Sequence, residues 1–352
     1  MSTNTFVGLD IGSSSIRAVE TTSTRESKDR PTVVNFGQAH LFEGTVVGGV
    51  VKDEKAVTQA LRSLWSTAEF TTKNVVLGVS HQQVIVREID VANLPAKELR
   101  QALPFLVRDA LPLPVDQALI DFYPLEKPDD RQETVHGLVM AAPKDPVIET
   151  VRAVESAGLH VAQVDLACFA ALRASAHLAN DTEALVDLGA TGTNIVVHTD
   201  GTPKIVRTVA RGGTDITKLI STRMDLSTAE AEKVKCRFGL TSTGELGDEE
   251  RVEVIEEALR PLVAEIRSSF NYFTSTNPDH EVKRLALVGG AALLPGLTDE
   301  LTAQLGVPTF LSDPMQRIAQ TRKGGRHSGQ VDALSRFRSS AAVSIGLTLG
   351  AA

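Results

Sequence analysis

Aromatic side chains are scarce in this chain of 352 residues, at 12 Phe, 2 Tyr and 1 Trp, or 4% in all. Val, Leu, Ile and Ala must therefore fill the interior, and 42% hydrophobic against 23% charged residues is an ordinary globular balance. Cysteine is scarcer still. Cys168 and Cys236 stand far apart, without Cys-x-x-Cys or Cys/His ligand spacing. That excludes a disulfide framework and a zinc site and leaves two buried, unreactive thiols as the expectation. No run approaches the ~20 apolar residues of a membrane span, and MSTNTFVGLD has no basic segment ahead of an apolar stretch. A cytoplasmic location without direct membrane insertion is expected. Basic residues form no stripe, and 36 of them against 44 acidic ones leave a net charge of −8, so nucleic acid is not an expected partner. Two common phosphate-binding signatures are also missing. There is no G-x-x-x-x-G-K-[ST] loop, and the glycines of GLDIGSSS do not make G-x-G-x-x-G ahead of a helix. The eight histidines stand in unrelated, mostly polar contexts. They form no nucleophile–base constellation and are expected on the surface or in loops.

The length exceeds one typical hydrophobic core and predicts two lobes. TFVGLDIGSSSIRAVETTS alternates apolar residues up to Asp10, turns on Gly and Ser, and alternates again from Ile16, which predicts a β-hairpin. Val57, Leu61, Leu64 and Trp65 recur at helical spacing within residues 54–69. Residues 75–90 give two β-rich runs, followed by a helix from about Pro95 in which Pro104 predicts a kink near Arg100. Strands at DQALIDFYPLE and HGLVMAAP and a helix over 145–157 complete a small α+β insert, placed at 84–163. A helix around LACFAALRASAHLA leads into three further strands and a helix opened by Thr214 and Asp215. Residues 226–274 read as helical apart from 241–250, then RLALVGGAALLPGL as a buried strand and SSAAVSIGLTLG as an apolar segment. The Gly-rich, basic loop 321–330 is expected to be mobile.

The opening pattern recurs at half the chain length. Laying residues 9–19 on 186–196, an offset of 177, pairs Asp10 with Asp187, Gly12 with Gly189, Ser14 with Thr191 and Val19 with Val196. Two related lobes, each contributing a hairpin to a cleft, follow from such a duplication. Gly12 with Ser13, Ser14 and Ser15 can converge N–H groups and hydroxyls on an anion. A carboxylate beside bound phosphate is repulsive unless a divalent cation lies between, and Mg²⁺ takes water and one or two nearby carboxylates. Asp-x-Gly-Ser is also an ordinary turn in which Asp accepts local N–H bonds, and it is the recurrence that favours phosphate.

DIGSSSIRAVE resembles the first phosphate motif of the actin, Hsp70 and sugar-kinase superfamily, VDLGATGT its second, and LVGGAALLPG (287–296) its adenosine motif, in the expected order. Ala231, Glu232 and Lys235 match the A-E-x-x-K pattern that lines adenine and ribose in the division protein FtsA, although Glu232 and Lys235 would equally make an i,i+3 surface pair. GVSHQQVIVREIDVANLPAKELRQAL, LPLPVDQALIDFYPLE and AAPKDPVIETVRAVESAGL resemble the 1C subdomain of the type IV pilus assembly family PilM.

The resemblance implies an α/β, two-lobed actin-like (ribonuclease H-like) fold with a small α+β subdomain inserted in the first lobe. Its parts would be 1–83, 164–182 and 335–352 for 1A, 84–163 for 1C, 183–225 and 282–334 for 2A, and 226–281 for 2B. It implies ATP and Mg²⁺, with Gly12, Ser13, Ser14 and Ser15 on the β- and γ-phosphates and Asp10 and Asp187 ordering the metal through water. Gly189, Thr191, Gly192 and Thr193 would close from the other lobe, Gly212 and Gly213 would pass phosphates and ribose, and Gly289, Gly290 and Ala291 would approach adenine. Arg17 stands where actins carry a phosphate-binding lysine, keeping the charge in a planar fork. Ala190 stands where they carry a second acid, so weak or no hydrolysis is implied.

The implied function is a scaffold at the cytoplasmic face of the inner membrane that binds the N-terminal cytoplasmic peptide of PilN between subdomains 1A and 1C, within 75–165. Other pilus motor components and self-association are left open as further contacts. A small-molecule kinase of the superfamily is the alternative enzyme, and it would need an acceptor pocket and a carboxylate base. An FtsA-like division protein would carry a C-terminal amphipathic membrane helix, whereas this sequence ends in SIGLTLGAA.

Overall fold

The computed structural model describes residues 4–24, 30–126, 131–179, 181–242, 244, 247–319, 334 and 337–351, so the loop at 321–330 lies outside the described residues. The chain opens with β1 (Asn4–Ile11) and β2 (Ser15–Ser23), antiparallel and in register from Asn4↔Ser23 to Ile11↔Ile16, as the alternation predicts. β3 (Thr32–His40) pairs with β2 and is followed by a two-strand turn, β4 (Val46–Val47) and β5 (Val50–Val51). α1 (Glu54–Ala68) starts where the Asp53 side chain accepts the Ala56 N–H, a cap that satisfies one of the orphan donors of a helix start. It buries Val57, Leu61 and Leu64 against the sheet. β6 (Asn74–Val79) runs parallel to β1.

The next part forms a sheet of its own. β7 (Ile85–Ala92), α2 (Ala96–Leu106), β8 (Ala118–Pro124) and β9 (Thr134–Pro143) make a three-stranded antiparallel layer in the order β7-β9-β8, with Leu103, Val107 and Leu111 packed on it. α2 ends two residues beyond Pro104, so this proline, which removes the hydrogen bond to Arg100, sits in the final turn where little helix remains to be bent. α3 (Lys144–Ser156) packs on α1, and β10 (His160–Leu166) returns to pair with β6. The separately folded sheet thus covers 85–143 of the 84–163 stretch. α4 (Ala167–Ser175) completes this half.

The second half repeats the first. β11 (Thr182–Leu188), β12 (Thr193–Thr199) and β13 (Thr202–Val209) form an antiparallel meander. α5 (Gly213–Arg223), α6 (Thr228–Phe238) and α7 (Asp248–Thr276) follow and share one core with the sheet. β14 (Arg284–Val288), α8 (Leu297–Leu305) and β15 (Thr309–Leu311) close it. The sheets read β3-β2-β1-β6-β10 and β13-β12-β11-β14-β15, with antiparallel and parallel pairs in the same places. The duplication seen over eleven residues is therefore a duplication of the whole sheet.

The apolar segment near the end forms α9 (Ala342–Gly350), which lies against α4 and β1. Small residues permit it: a Cβ on Gly8 would fall 1.9 Å from the Ser344 carbonyl oxygen, and one on Gly346 would fall 1.7 Å from that of Ala170. Backbone packed this closely cannot admit a side chain.

Three expectations about single residues are corrected. Cys168 is buried, but Cys236 is exposed on α6. His81 and His198 are buried, not in solvent. His198 escapes the cost of an unpaired buried polar ring because its Nε2 lies 3.1 Å from the Glu183 carboxylate and its Nδ1 accepts the Gly201 N–H.

Candidate functional site

A cleft of about 740 Å³ opens between the two hairpins. The turns are built alike: Gly12 N–H donates to the Ser15 carbonyl at 3.0 Å, and Gly189 N–H donates to the Gly192 carbonyl at 3.0 Å. The tips meet where the Thr191 hydroxyl donates to Ser13 Oγ at 3.0 Å. Asp10 and Asp187, at equivalent register positions on β1 and β11, both line the cleft. Burial pushes the Asp10 carboxyl up to about 6; Arg17 opposes the shift and the nearby Asp187 adds to it. Burial raises Asp187 as well, against a hydrogen bond from Asn194 and the charge of Arg17. Two partly buried carboxyls raised toward the neutral form by desolvation, Asp10 also by the charge of Asp187, are a site that favours a cation.

The same wall holds unspent polar atoms. Among the described residues Ser15 Oγ and Arg17 Nε are buried without a hydrogen-bond partner, and the guanidinium reaches only to 3.9 Å from Asp10. A buried unpartnered donor is costly, so an anion at this place would satisfy groups that the protein itself leaves open. Arg17 also crosses the cleft: a Cβ on Gly290 would lie 3.3 Å from its Nη2.

Of the residues predicted from sequence, Asp10, Gly12, Ser13, Ser14, Ser15, Arg17, Asp187, Gly189, Thr191, Gly192, Gly213, Glu232, Lys235, Gly289, Gly290 and Ala291 all line the cleft. Thr193 and Gly212 do not. Thr193 is fully buried and its hydroxyl donates to the Arg211 carbonyl at 2.7 Å. Gly212 is pressed behind the second turn, where an added Cβ would lie 2.5 Å from the Ala190 carbonyl oxygen. Both brace the wall. Gly213 N–H and Thr214 N–H, at the start of α5, likewise donate to Gly189 and Ala190 carbonyls, so they hold the turn and are spent. Gly289, at φ +94°, runs so close to β11 that a Cβ would lie 2.6 Å from Asp187 Oδ1.

Glu232 and Lys235 do form an ion pair, at 2.7 Å, but on the cleft wall and with Lys235 buried. The ammonium also donates to the Thr217 hydroxyl at 2.9 Å and the Gly213 carbonyl at 3.2 Å. Burial works to raise the Glu232 carboxyl; hydrogen bonds from Lys235 and Thr217 outweigh it and hold Glu232 below the usual carboxylate range. An ionised carboxylate with lone pairs facing the cleft can accept from the hydroxyls of a sugar.

Sequence reasoning missed Gln38 and His40 on β3, Gly48 and Gly49 at the β4–β5 turn, Ser80 and Gln82 after β6, and Asn194, Thr208 and Cys236, all of which line the cleft. Asn194 could have been found, because the 177-residue offset places it opposite Arg17. Its amide donates to Asp187 and to Ser80 Oγ, both at 3.4 Å, while its oxygen accepts from Thr208 at 3.0 Å.

A second, more apolar cleft of about 470 Å³ lies between the inserted sheet and the first lobe. β8 and β10, which flank it, are both edge strands. Leu119, Tyr123 and Val164 are partly exposed there, and Arg173 pairs with Asp165 in its wall. Among the described residues no helix is long and apolar enough to cross a membrane, and no cluster of three or more metal-ligating side chains occurs.

Comparison with known proteins agrees with this architecture. The structure of a PilM-PilN type IV pilus biogenesis complex superposes with a TM-score of 0.84 at 28% identity, covering 98% of this chain and 97% of that one. MreB5 of Spiroplasma citri bound to ADP superposes at 0.52 with 15% identity, covering 97% and 94%, and so shares the actin-like fold. The cell division protein FtsA of Enterococcus hirae is 26% identical over 354 residues, covering 89% of this chain and 79% of that protein. FtsA of Bacillus subtilis is 26% identical over 276 residues, 71% of this chain and 61% of that relative, so the alignment spans less than two thirds of its length. The family model for type IV pilus assembly protein PilM matches residues 8–351, and with that match over nearly its whole length the chain belongs to the PilM family.

Proposed function

We propose that the inter-lobe cleft holds Mg-ATP and that the chain is a nucleotide-binding scaffold of the type IV pilus assembly platform. In this reading it sits at the cytoplasmic face of the inner membrane through its partner, the N-terminal cytoplasmic peptide of PilN. The observation that carries the nucleotide half is the pair Asp10 and Asp187, partly buried and raised toward neutrality beside Ser15 Oγ and Arg17 Nε, which have no hydrogen-bond partner among the described residues. These residues fit the group: the two carboxylates would hold Mg²⁺ through water, and Arg17 with Ser13, Ser14 and Ser15 would take phosphate oxygens. Bound Mg²⁺ supplies positive charge that offsets the phosphates and carboxylates. Glu232 would accept from the ribose, and Gly289 and Gly290 leave room for the base.

Hydrolysis should be weak or absent. The second turn presents Ala190, and α4 enters the cleft with Ala167. Apart from the two aspartates, the proton-accepting carboxylate and imidazole groups of the cleft among the described residues are Glu232, committed to Lys235 and Thr217, and His40. A slow chemical step fits a binding switch better than a kinase, and no observation supports an acceptor pocket.

The peptide half is supported by the apolar groove between the inserted sheet and the first lobe, flanked by free edges of β8 and β10 that an extended peptide can pair with. The similar structure of a PilM-PilN complex supports the same reading. Calorimetric titration with Mg-ATP tests the cleft: Asp10→Ala and Asp187→Ala should each weaken binding tenfold or more, and an unchanged affinity overturns the assignment. A pull-down with the PilN peptide, with and without Mg-ATP, tests the groove, and failure under both conditions overturns that half.

A further inference from the structure

A row of side chains crosses each lobe sheet at the cleft, and the two rows are laid out alike. In the second lobe Asp187, Asn194 and Thr208 stand opposite one another on β11, β12 and β13. In the first lobe Asp10, Arg17 and Gln38 stand opposite one another on β1, β2 and β3. All six line the cleft. The second row is closed: the Thr208 hydroxyl donates to the Asn194 oxygen at 3.0 Å, and the Asn194 amide donates to Asp187 at 3.4 Å. The first row is open. Arg17 Nη1 lies 3.9 Å from Asp10, beyond hydrogen-bond reach. Among the described residues neither Arg17 Nε nor Gln38 Oε1 has a hydrogen-bond partner, although both atoms are buried.

The two open atoms match as donor and acceptor. A guanidinium offers only N–H groups, so an amide that meets it must present its oxygen. Residues directly opposite in an antiparallel pair have Cβ atoms about 4.5–5.5 Å apart, and two long side chains so placed can meet by a change of rotamer alone. Leaving a buried donor and a buried acceptor both unmade is costly. What keeps the row open in this arrangement is Asp10, whose charge draws the Nη end of Arg17 toward β1. The open row is therefore a property of the cleft without a cation to occupy Asp10.

Resting on the nucleotide reading above, we propose that Gln38 is the positioning residue for Arg17. With Asp10 given over to the cation, the guanidinium turns away from it, Gln38 Oε1 accepts the Nε–H, and the two Nη groups are presented to phosphate oxygens. A guanidinium held at Nε keeps a planar fork of N–H groups for an anion, the geometry in which charge-assisted bonds are strongest. Gln38 touches no part of the nucleotide in this reading, and its whole effect passes through Arg17. The ligand-free cleft has one closed row and the loaded cleft has two.

The test is Gln38→Met, which keeps the length of the side chain and removes the amide. Affinity of the full-length chain for Mg-ATP is measured by calorimetry in the wild type, in Gln38→Met, in Arg17→Lys, which keeps the charge but has no Nε–H, and in the double variant. Gln38→Met should bind Mg-ATP about fivefold more weakly than the wild type, the effect of one ordinary hydrogen bond. On the Arg17→Lys background the same substitution should cost less than about twofold, because no guanidinium is left to place. Melting without ligand separates this from a packing role. Gln38 Oε1 makes no bond in the ligand-free fold, so Gln38→Met should melt at or above the wild type there. An unchanged affinity in Gln38→Met, equal losses on the two backgrounds, or a ligand-free melting temperature that falls with the substitution overturns the proposal. If the wild type binds no Mg-ATP, the nucleotide reading itself falls and the role of Gln38 with it.

Discussion

Laid over one another, the Asp10 and Asp187 hairpins share their strand register, their 3.0 Å turn bond and their place in equivalent sheets, yet the residues between and after the aspartates differ. Where the first has Ser13, Ser15 and Arg17, the second has Ala190, Gly192 and Asn194. The first hairpin therefore carries charge and open hydrogen-bond capacity, whereas the second carries a neutral amide already committed to Asp187, Ser80 and Thr208. A symmetric scaffold has been furnished as a charged floor and a neutral lid. Affinity should then sit with the first hairpin and closure with the second.

The largest expected break in that asymmetry comes from making the floor resemble the lid. Arg17→Asn removes a charge-assisted anion contact, an interaction of about 1.5–3 kcal/mol, and should weaken Mg-ATP binding roughly 10- to 100-fold in calorimetry. Asn194→Ala leaves all phosphate charge in place and should cost less than tenfold. Equal losses at both positions would remove the distinction.

How much of this was legible in the sequence follows the same division. The turns were readable because Asp, Gly and Ser act through local backbone geometry, and the repeat because its spacing spans half the chain. The insert's strands followed from alternation. Gln38, His40, Gly48 and Gly49 were not readable, because they reach the cleft through strand register and through the packing of the β4–β5 turn on Ser80, where a Cβ on Gly49 would lie 1.9 Å from the Ser80 carbonyl oxygen. Thr193 and Gly212 were overread: their residue types suit a phosphate site, but the fold turns them to brace it. His198 misled because a polar residue in an alternating strand reads as exposed, and only the partner Glu183, fifteen residues away, makes its burial tolerable.

An intermediate effect should appear in the pH dependence of the floor. Asp10, at about 6 in the fold against 3.8 as the model-compound value, binds its proton more tightly folded than unfolded. Between these values stability without ligand must fall as pH rises, and the loss is complete above about 6; it amounts to at most about 3 kcal/mol. Asp10→Asn should accordingly melt higher than the wild type at pH 7.5 without nucleotide, with the gap closing toward pH 4. The order should reverse with saturating Mg-ATP, since cation binding needs the ionised carboxylate. A ligand-free wild type as stable at pH 7.5 as Asp10→Asn would show that the charge is offset by something other than the ligand.

The smallest effect concerns the two thiols, which compare the surface of the cleft with the core. Cys168 lies in a core cluster shared by residues of both lobes, and burial pushes its thiol up to about 12, so it should resist a disulfide reagent in the folded protein. Cys236 is exposed at the cleft margin. Burial of its sulfur and the neighbouring Glu232, which accepts from Sγ at 3.4 Å, raise its pKa as well, so it should react, but more slowly than a free thiol. One thiol per chain should therefore titrate before unfolding and two after. Because Cys236 lines the wall assigned to ribose and base, Mg-ATP should slow its modification severalfold while leaving the melting temperature of Cys236→Ser within a degree or so of the wild type. Protection of Cys236 without any change in the reactivity of a cysteine placed at the exposed Phe42 would tie the effect to occupancy of the neutral wall rather than to a general tightening of the fold.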